Sequence, residues 1–134
     1  MEVFPSEQWI DRFRQAANAD PELSVIGDFF TVDFALAFGD ERYVIEVKNG
    51  RVANIIHNPR FDRATKFGMR APMDLWKRFF SESPPPLYHD IFAMIMRVPE
   101  FVLDGDTLVA MQNARALRRL MAVMQEEGGQ RDQV

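Results

Sequence analysis

Phe29–His57, FFTVDFALAFGDERYVIEVKNGRVANIIH, is the stretch that decides the fold. Phe30, Val32, Phe34, Leu36 and Phe38 alternate with Thr31, Asp33, Ala35 and Ala37, the period of a strand with one buried face. Gly39-Asp40 marks a turn, and Tyr43, Ile45 and Val47 then alternate with Val44, Glu46 and Lys48. Asn49-Gly50 is a strong hairpin signal, because both central residues of a type I′ turn need positive φ. Val52–His57 is the third strand, so the stretch is an antiparallel meander.

The flanks follow a helical period. Phe4-Pro5-Ser6 is a helix entry with Ser6 as N-cap, and Trp9, Ile10, Phe13, Ala16 and Ala17 form one apolar stripe behind it. Asp20-Pro21 opens a short second helix that Gly27 ends. After the break at Asn58-Pro59, a fourth strand is expected over Asp62–Ala71, with Phe67 and Met69 facing the core. Pro72 then opens a helix to about Ser81, which places Trp76, Phe79 and Phe80 at i, i+3 and i+4. The prolines at 84–86 start another helix that ends near Pro99. Phe101–Leu103 is a short fifth strand, and Asp106 or Thr107 caps a last helix striped by Leu117, Leu120, Met121 and Met124. One domain over residues 1–124 and a flexible polar tail over 125–134 are the expected organisation.

Bulk composition removes several functions. Hydrophobic residues make up 47% and charged residues 27%, as in an ordinary globular chain, so a packed core is expected. The net charge of −4, with scattered Lys and Arg, argues against nucleic acid as a partner. No cysteine is present, which excludes disulfides, thiol nucleophiles and Cys-ligated metals. The start lacks a basic region followed by an apolar run, and no apolar stretch reaches the ~20 residues needed to span a bilayer. A cytoplasmic protein with at most peripheral membrane contact is expected.

Catalytic signatures are missing: there is no G-x-S-x-G, P-loop, H-E-x-x-H or G-x-G-x-x-G. His57 ends a strand beside a turn, and His89 sits in Tyr88-His89-Asp90, read as helical, where consecutive side chains diverge. The pairs Asp40/Glu41 and Asp104/Asp106 stand at turns or a helix cap, where carboxylates satisfy backbone N–H groups. No enzyme activity, cofactor or metal is expected from these residues.

The informative surplus is apolar. From Pro86 to Val98, Leu87, Ile91, Met94, Ile95 and Val98 fill one helical face, and Tyr88, Phe92 and Met96 widen it well beyond the usual ~100° stripe. Such a helix is sandwiched, lines a cavity, or meets a partner or a membrane. Six of the eight Met residues lie between Met73 and Met124. Met suits surfaces that fit variable apolar shapes, and it equally fills irregular cores, so both readings stand.

The order of elements resembles the sterol carrier protein family of lipid-binding domains. The resemblance spans roughly residues 5–124, and three stretches carry it. They are FALAFGDERYVIEVKNGRV (34–52), TKFGMRAPMDLWKRFF (65–80) and FVLDGDTLVAMQNARALRRLM (101–121). It implies an α+β fold in which a mixed five-stranded sheet, beginning with the antiparallel meander, is covered on one face by helices. It also implies a hydrophobic tunnel for a fatty acyl chain, sterol or similar lipid, without catalysis. Mapped onto this chain, the tunnel wall comes from Phe34, Phe67, Met69, Trp76, Phe80, Ile91, Phe92, Ile95 and Phe101, with Met121 and Met124 at the mouth. The 12 Phe residues leave open a tunnel that is partly filled, which would favour a small or flat ligand over a sterol. The competing reading is an interaction module whose apolar helices dock on an enzyme or on a second copy as a homodimer.

Overall fold

The computed structural model describes residues 6–60, 63–81 and 83–132, with side chains described as far as Glu127. Phe4, Pro5 and Asp62, used above to place a helix entry and a strand start, lie outside these residues. Among the described residues no helix is long and apolar enough to cross a membrane.

Local chemistry accounts for the N-terminal half. Helix α1 (Glu7–Ala19) starts where the Ser6 hydroxyl accepts from the Trp9 N–H, and α2 (Pro21–Ile26) where the Asp20 carboxylate accepts from the Leu23 N–H. Strands β1 (Val32–Phe38), β2 (Glu41–Lys48) and β3 (Arg51–His57) form the expected meander, with Phe34 opposite Ile45 and Ile45 opposite Ile55. Asn49 and Gly50 have φ of 51° and 77°, as the type I′ turn requires. Strand β4 (Phe67–Ala71) pairs parallel with β1, and β5 (Val102–Gly105) pairs antiparallel with β4. The result is one mixed five-stranded sheet in the order β3-β2-β1-β4-β5.

The strand alternation sorts the two faces. Phe34, Leu36, Phe38, Tyr43, Ile45, Phe67 and Met69 are buried in one hydrophobic cluster with Trp9, Phe13 and the later helices. On the opposite face Asp33 and Glu46 are register partners, a repulsive pairing that the Arg63 guanidinium bridges at 3.0 and 2.7 Å. Strand β3 forms one sheet edge. There the Asn18 side chain mimics another strand, donating to the Val52 carbonyl and accepting from the Val52 N–H at 3.1 and 2.8 Å. Arg14 adds a bond to the Ala53 carbonyl at 3.0 Å, which blocks strand addition there.

The C-terminal half departs from expectation in three places. Helix α3 (Met73–Phe79) forms as expected, but α4 is only Ile91–Arg97. The prolines at 84–86 donate no backbone hydrogen bond, Leu87 has a φ of 78°, and Asp90 caps Phe92, so the helix cannot begin before Ile91. His89 therefore lies in a turn. The expected single last helix is two, α5 (Thr107–Gln112) and α6 (Ala114–Asp132), because Asn113 turns its amide back onto the Val109 carbonyl. The tail expected from Gln125 is helical to Asp132.

Arg119 on α6 anchors this helix to the α1–α2 junction. Its guanidinium binds both oxygens of Asp20 at 2.6 and 3.0 Å and reaches Glu22 at 3.1 Å. These hydrogen bonds hold the Asp20 carboxyl below its ordinary range, against an opposing push from burial, and the Leu23 N–H adds to them. A carboxyl depressed on folding contributes stability that is present above the unfolded value and lost as pH falls through the folded one. Below about pH 4, the wild type is expected to lose stability more steeply than Asp20→Asn, which keeps the cap, in urea titrations across pH.

A second prediction concerns the hairpin tip. A Cβ on Gly50 would lie 2.7 Å from the Gly27 carbonyl oxygen, at a φ that side chains avoid. Gly50→Ala is expected to cost about 2 kcal/mol or more, measured by urea unfolding.

Candidate functional site

The eleven residues assigned to the tunnel come together in the layer between sheet and helices. Phe34 and Phe67, register partners on β1 and β4, stack with centroids 5.2 Å apart. Trp76 on α3 packs between Phe38 at 4.7 Å, Phe101 at 5.1 Å and Phe80 at 5.9 Å. Its indole N–H donates to the Ala37 carbonyl at 2.8 Å, which satisfies the one polar atom the ring carries inward. Met69 lies opposite Leu36 and Leu103 in the sheet. Ile91 and Phe92 begin α4 and are buried, whereas Ile95 is half-buried. Met124 is fully buried rather than at an opening, and Met121 is 1% exposed. These spacings are those of touching aromatic pairs, so this part of the layer is densely filled.

Space opens at one end of the layer. A cleft of about 360 Å³ is lined by Phe79, His89, Asp90, Ile91, Arg118, Met121, Ala122 and Gln125. Arg118, Met121, Ala122 and Gln125 occupy i, i+3, i+4 and i+7 of α6, so one helical face supplies half of the lining. Phe79, Ile91 and Met121 make its floor, and all three belong to the buried cluster. The rim is polar. Arg118 Nε donates to Asp90 at 3.2 Å, and the guanidinium lies 5.1 Å over the Phe92 ring. The Gln125 amide donates to the carbonyls of Phe79 and His89 at 2.9 and 3.2 Å, tying the end of α3 to the turn before α4.

Two other clefts are less suited to an apolar ligand. One of about 330 Å³ has Ile10 and Ile55 among Glu7, Asp11, Arg14 and His57. There His57 stacks on Tyr43 at 4.5 Å and holds Glu41 at 2.7 Å, while burial, Glu41 and Glu7 push the Tyr43 hydroxyl up. The other, about 470 Å³, lies beside Ile56, Pro59, Arg60, Arg63 and Ala64. It is larger, but it sits against the ion pairs of the opposite sheet face and does not reach the apolar layer. The described residues hold no cluster of three or more His, Asp or Glu side chains that could bind a metal.

A crystal structure of sterol carrier protein 2 superposes with a TM-score of 0.72 over 93% of this chain and 98% of that one, at 18% identity. The fold is that of sterol carrier protein 2. A solution structure from Thermus thermophilus, of a conserved hypothetical protein offered as a sterol carrier protein candidate, gives a TM-score of 0.71 at 19% identity. It covers 96% of this chain and 92% of that one. A structure described as UbiJ-SCP2, a ubiquinone synthesis protein, gives 0.54 at 9% identity, covering 91% and 96%. No family model matches the chain, and no curated protein matches its sequence. The sterol-carrier fold is thus shared where little sequence is, which suits a layer specified by apolar period rather than by fixed residues.

Of the expected tunnel residues, Ile91 from the wall and Met121 from the mouth border the cleft. Phe79 stood in the α3 stripe and Asp90 beside His89 without being assigned to a site, Arg118 counted among the scattered cations, Gln125 opened the expected tail, and Ala122 was not singled out. The i, i+3, i+4, i+7 spacing on α6 would have joined Arg118, Ala122 and Gln125 to Met121 had the helix been carried past Met124. The Gln125 tie has a measurable consequence. Gln125→Ala is expected to destabilise by about 1 kcal/mol and to speed amide hydrogen exchange across residues 87–91.

Proposed function

We propose that this chain binds and carries an apolar small molecule of the fatty acyl or sterol type, without catalysis. The carrying observation is the cleft floored by Phe79, Ile91 and Met121, which opens directly onto the buried layer of a sterol-carrier fold. Its volume, about 360 Å³, is within the range of small-ligand sites. The driving force is removal of apolar surface from water, at ~25 cal/mol per Å². The remaining wall residues, Phe34, Phe67, Met69, Trp76, Phe80, Phe92, Ile95, Phe101 and Met124, would meet the ligand where the layer yields to it. Unbranched Met side chains favour such yielding.

A second reading has its own observation. Phe29 is 93% exposed and Met96 77%, surfaces that a docking partner could cover. Light scattering on the purified protein separates the two, since a strict monomer with no co-purifying protein weighs against docking.

Native mass spectrometry with fatty acids, acyl-CoAs and sterols tests the first reading. At least one class is expected to bind with 1:1 stoichiometry, and Ala122→Trp, which puts an indole into the half-buried cleft wall, is expected to abolish that binding with the helical circular dichroism intact. A chain that stays ligand-free across the panel would overturn the proposal.

A further inference from the structure

The rim of the cleft selects the head of the ligand. Resting on the carrier reading above, we infer that the preferred ligand is an amphiphile with an uncharged polar head, such as an alcohol or ester, and that Asp90 is the residue that rejects carboxylates.

Two formal charges line the cleft, and they face each other. Arg118 Nε and Asp90 Oδ1 are 3.2 Å apart, so at the rim the cation is already matched by an anion. The pair is held in place from both sides. The Arg118 guanidinium stacks on Phe92, and Asp90 is fixed because the same Oδ1 accepts from the Phe92 N–H at the start of α4. Gln125 commits its amide hydrogens to two backbone carbonyls, which leaves it no free donor arm for an anion. His89 contributes an exposed ring that can donate or accept.

A carboxylate lying with its chain on Phe79, Ile91 and Met121 would bring its charge beside Asp90. Asp90 holds only Nε of Arg118, so a carboxylate that turned to the remaining N–H groups would share that one cation with a second anion at close range. An alcohol or ester head asks for one or two neutral hydrogen bonds and leaves the pair intact. The half-exposed pair adds little to stability, since bridges open to solvent are worth about 0–1 kcal/mol. Its effect lies in specificity, through a like charge placed against the wrong head.

Asp90→Asn isolates this effect, because Asn caps a helix as well as Asp while removing the charge. The measurement is displacement of bound Nile red, a neutral apolar dye, at pH 8 by dodecan-1-ol below its solubility limit and by dodecanoate below its critical micelle concentration. Dodecanol is expected to bind the wild type at least about fivefold more tightly than dodecanoate, the ratio that corresponds to ~1 kcal/mol. Asp90→Asn is expected to tighten dodecanoate by a similar factor and leave dodecanol within twofold, about the scatter of such titrations. Asp90→Ser, which also caps a helix without a charge, is expected to tighten dodecanoate in the same way while dodecanol holds, and it stands as the independent check should Asp90→Asn fold poorly. Equal or tighter binding of dodecanoate by the wild type overturns the head-group inference alone. Failure of the dye and of both competitors to bind overturns it together with the carrier reading.

Discussion

The structure depends on where one indole is held. Trp76 hydrogen-bonds the Ala37 carbonyl at the end of β1 and fills the space between Phe38, Phe80 and Phe101. A short helix such as α3 has little stability of its own, because nucleation is costly and seven residues return few hydrogen bonds. Its position is therefore imposed by this side chain. With α3 fixed, Phe80 meets Trp9 of α1 at 5.4 Å, and Phe79 is left at the margin of the layer. The aromatic packing around Trp76 and the apolar cleft are thus set side by side by consecutive residues at the end of α3, Phe80 and Phe79.

That arrangement reconciles two readings of the aromatic surplus that oppose each other on paper. Around Trp76 the Phe residues are core, at ring distances that leave no gap. Past Phe79, α6 supplies Met121 and Ala122, and the polar turn at 86–90 replaces what would have been another helical turn of cover. The apolar wall is continuous across this border. A ligand would therefore enter against a surface already committed to folding, which is why its loss of water contact can drive binding without a dedicated anchor.

The meander was readable because its period is two and Asn49-Gly50 sets the turn and its first pairs locally, Lys48 with Arg51 and Val47 with Val52, whereas the one-residue register shift beyond Val47 is not written in the turn. Ser6 and Asp20 were readable likewise, since their capping acts within three residues. What escaped reading was decided by competition or by distance. Leu87, Tyr88 and Ile91 suit a helix by period, but three prolines lack the N–H groups and Asp90 offers a better start. Asn113 breaks the last helix with a side-chain bond that apolar counting does not register. The polar residues after Met124 stay helical although their composition reads as tail, and Gln125 at their start bonds carbonyls 46 and 36 residues away. The cleft rim is drawn from α3, the turn and α6, so only the folded chain assembles it, whereas its apolar floor could be listed in advance.

The central claim is that apolar ligands enter the layer at Phe79, Ile91 and Met121 rather than coat the outside of the helices. Methyl-labelled methionine provides reporters at both places: Met121 and Met124 are inside, Met96 and Met111 exposed. In a titration with a long-chain ester followed by methyl NMR, the account expects the Met121 signal to shift first and saturably, with Met96 and Met111 unmoved. Shifts confined to Met96 and Met111 would contradict it and place the apolar chemistry of this protein on its surface.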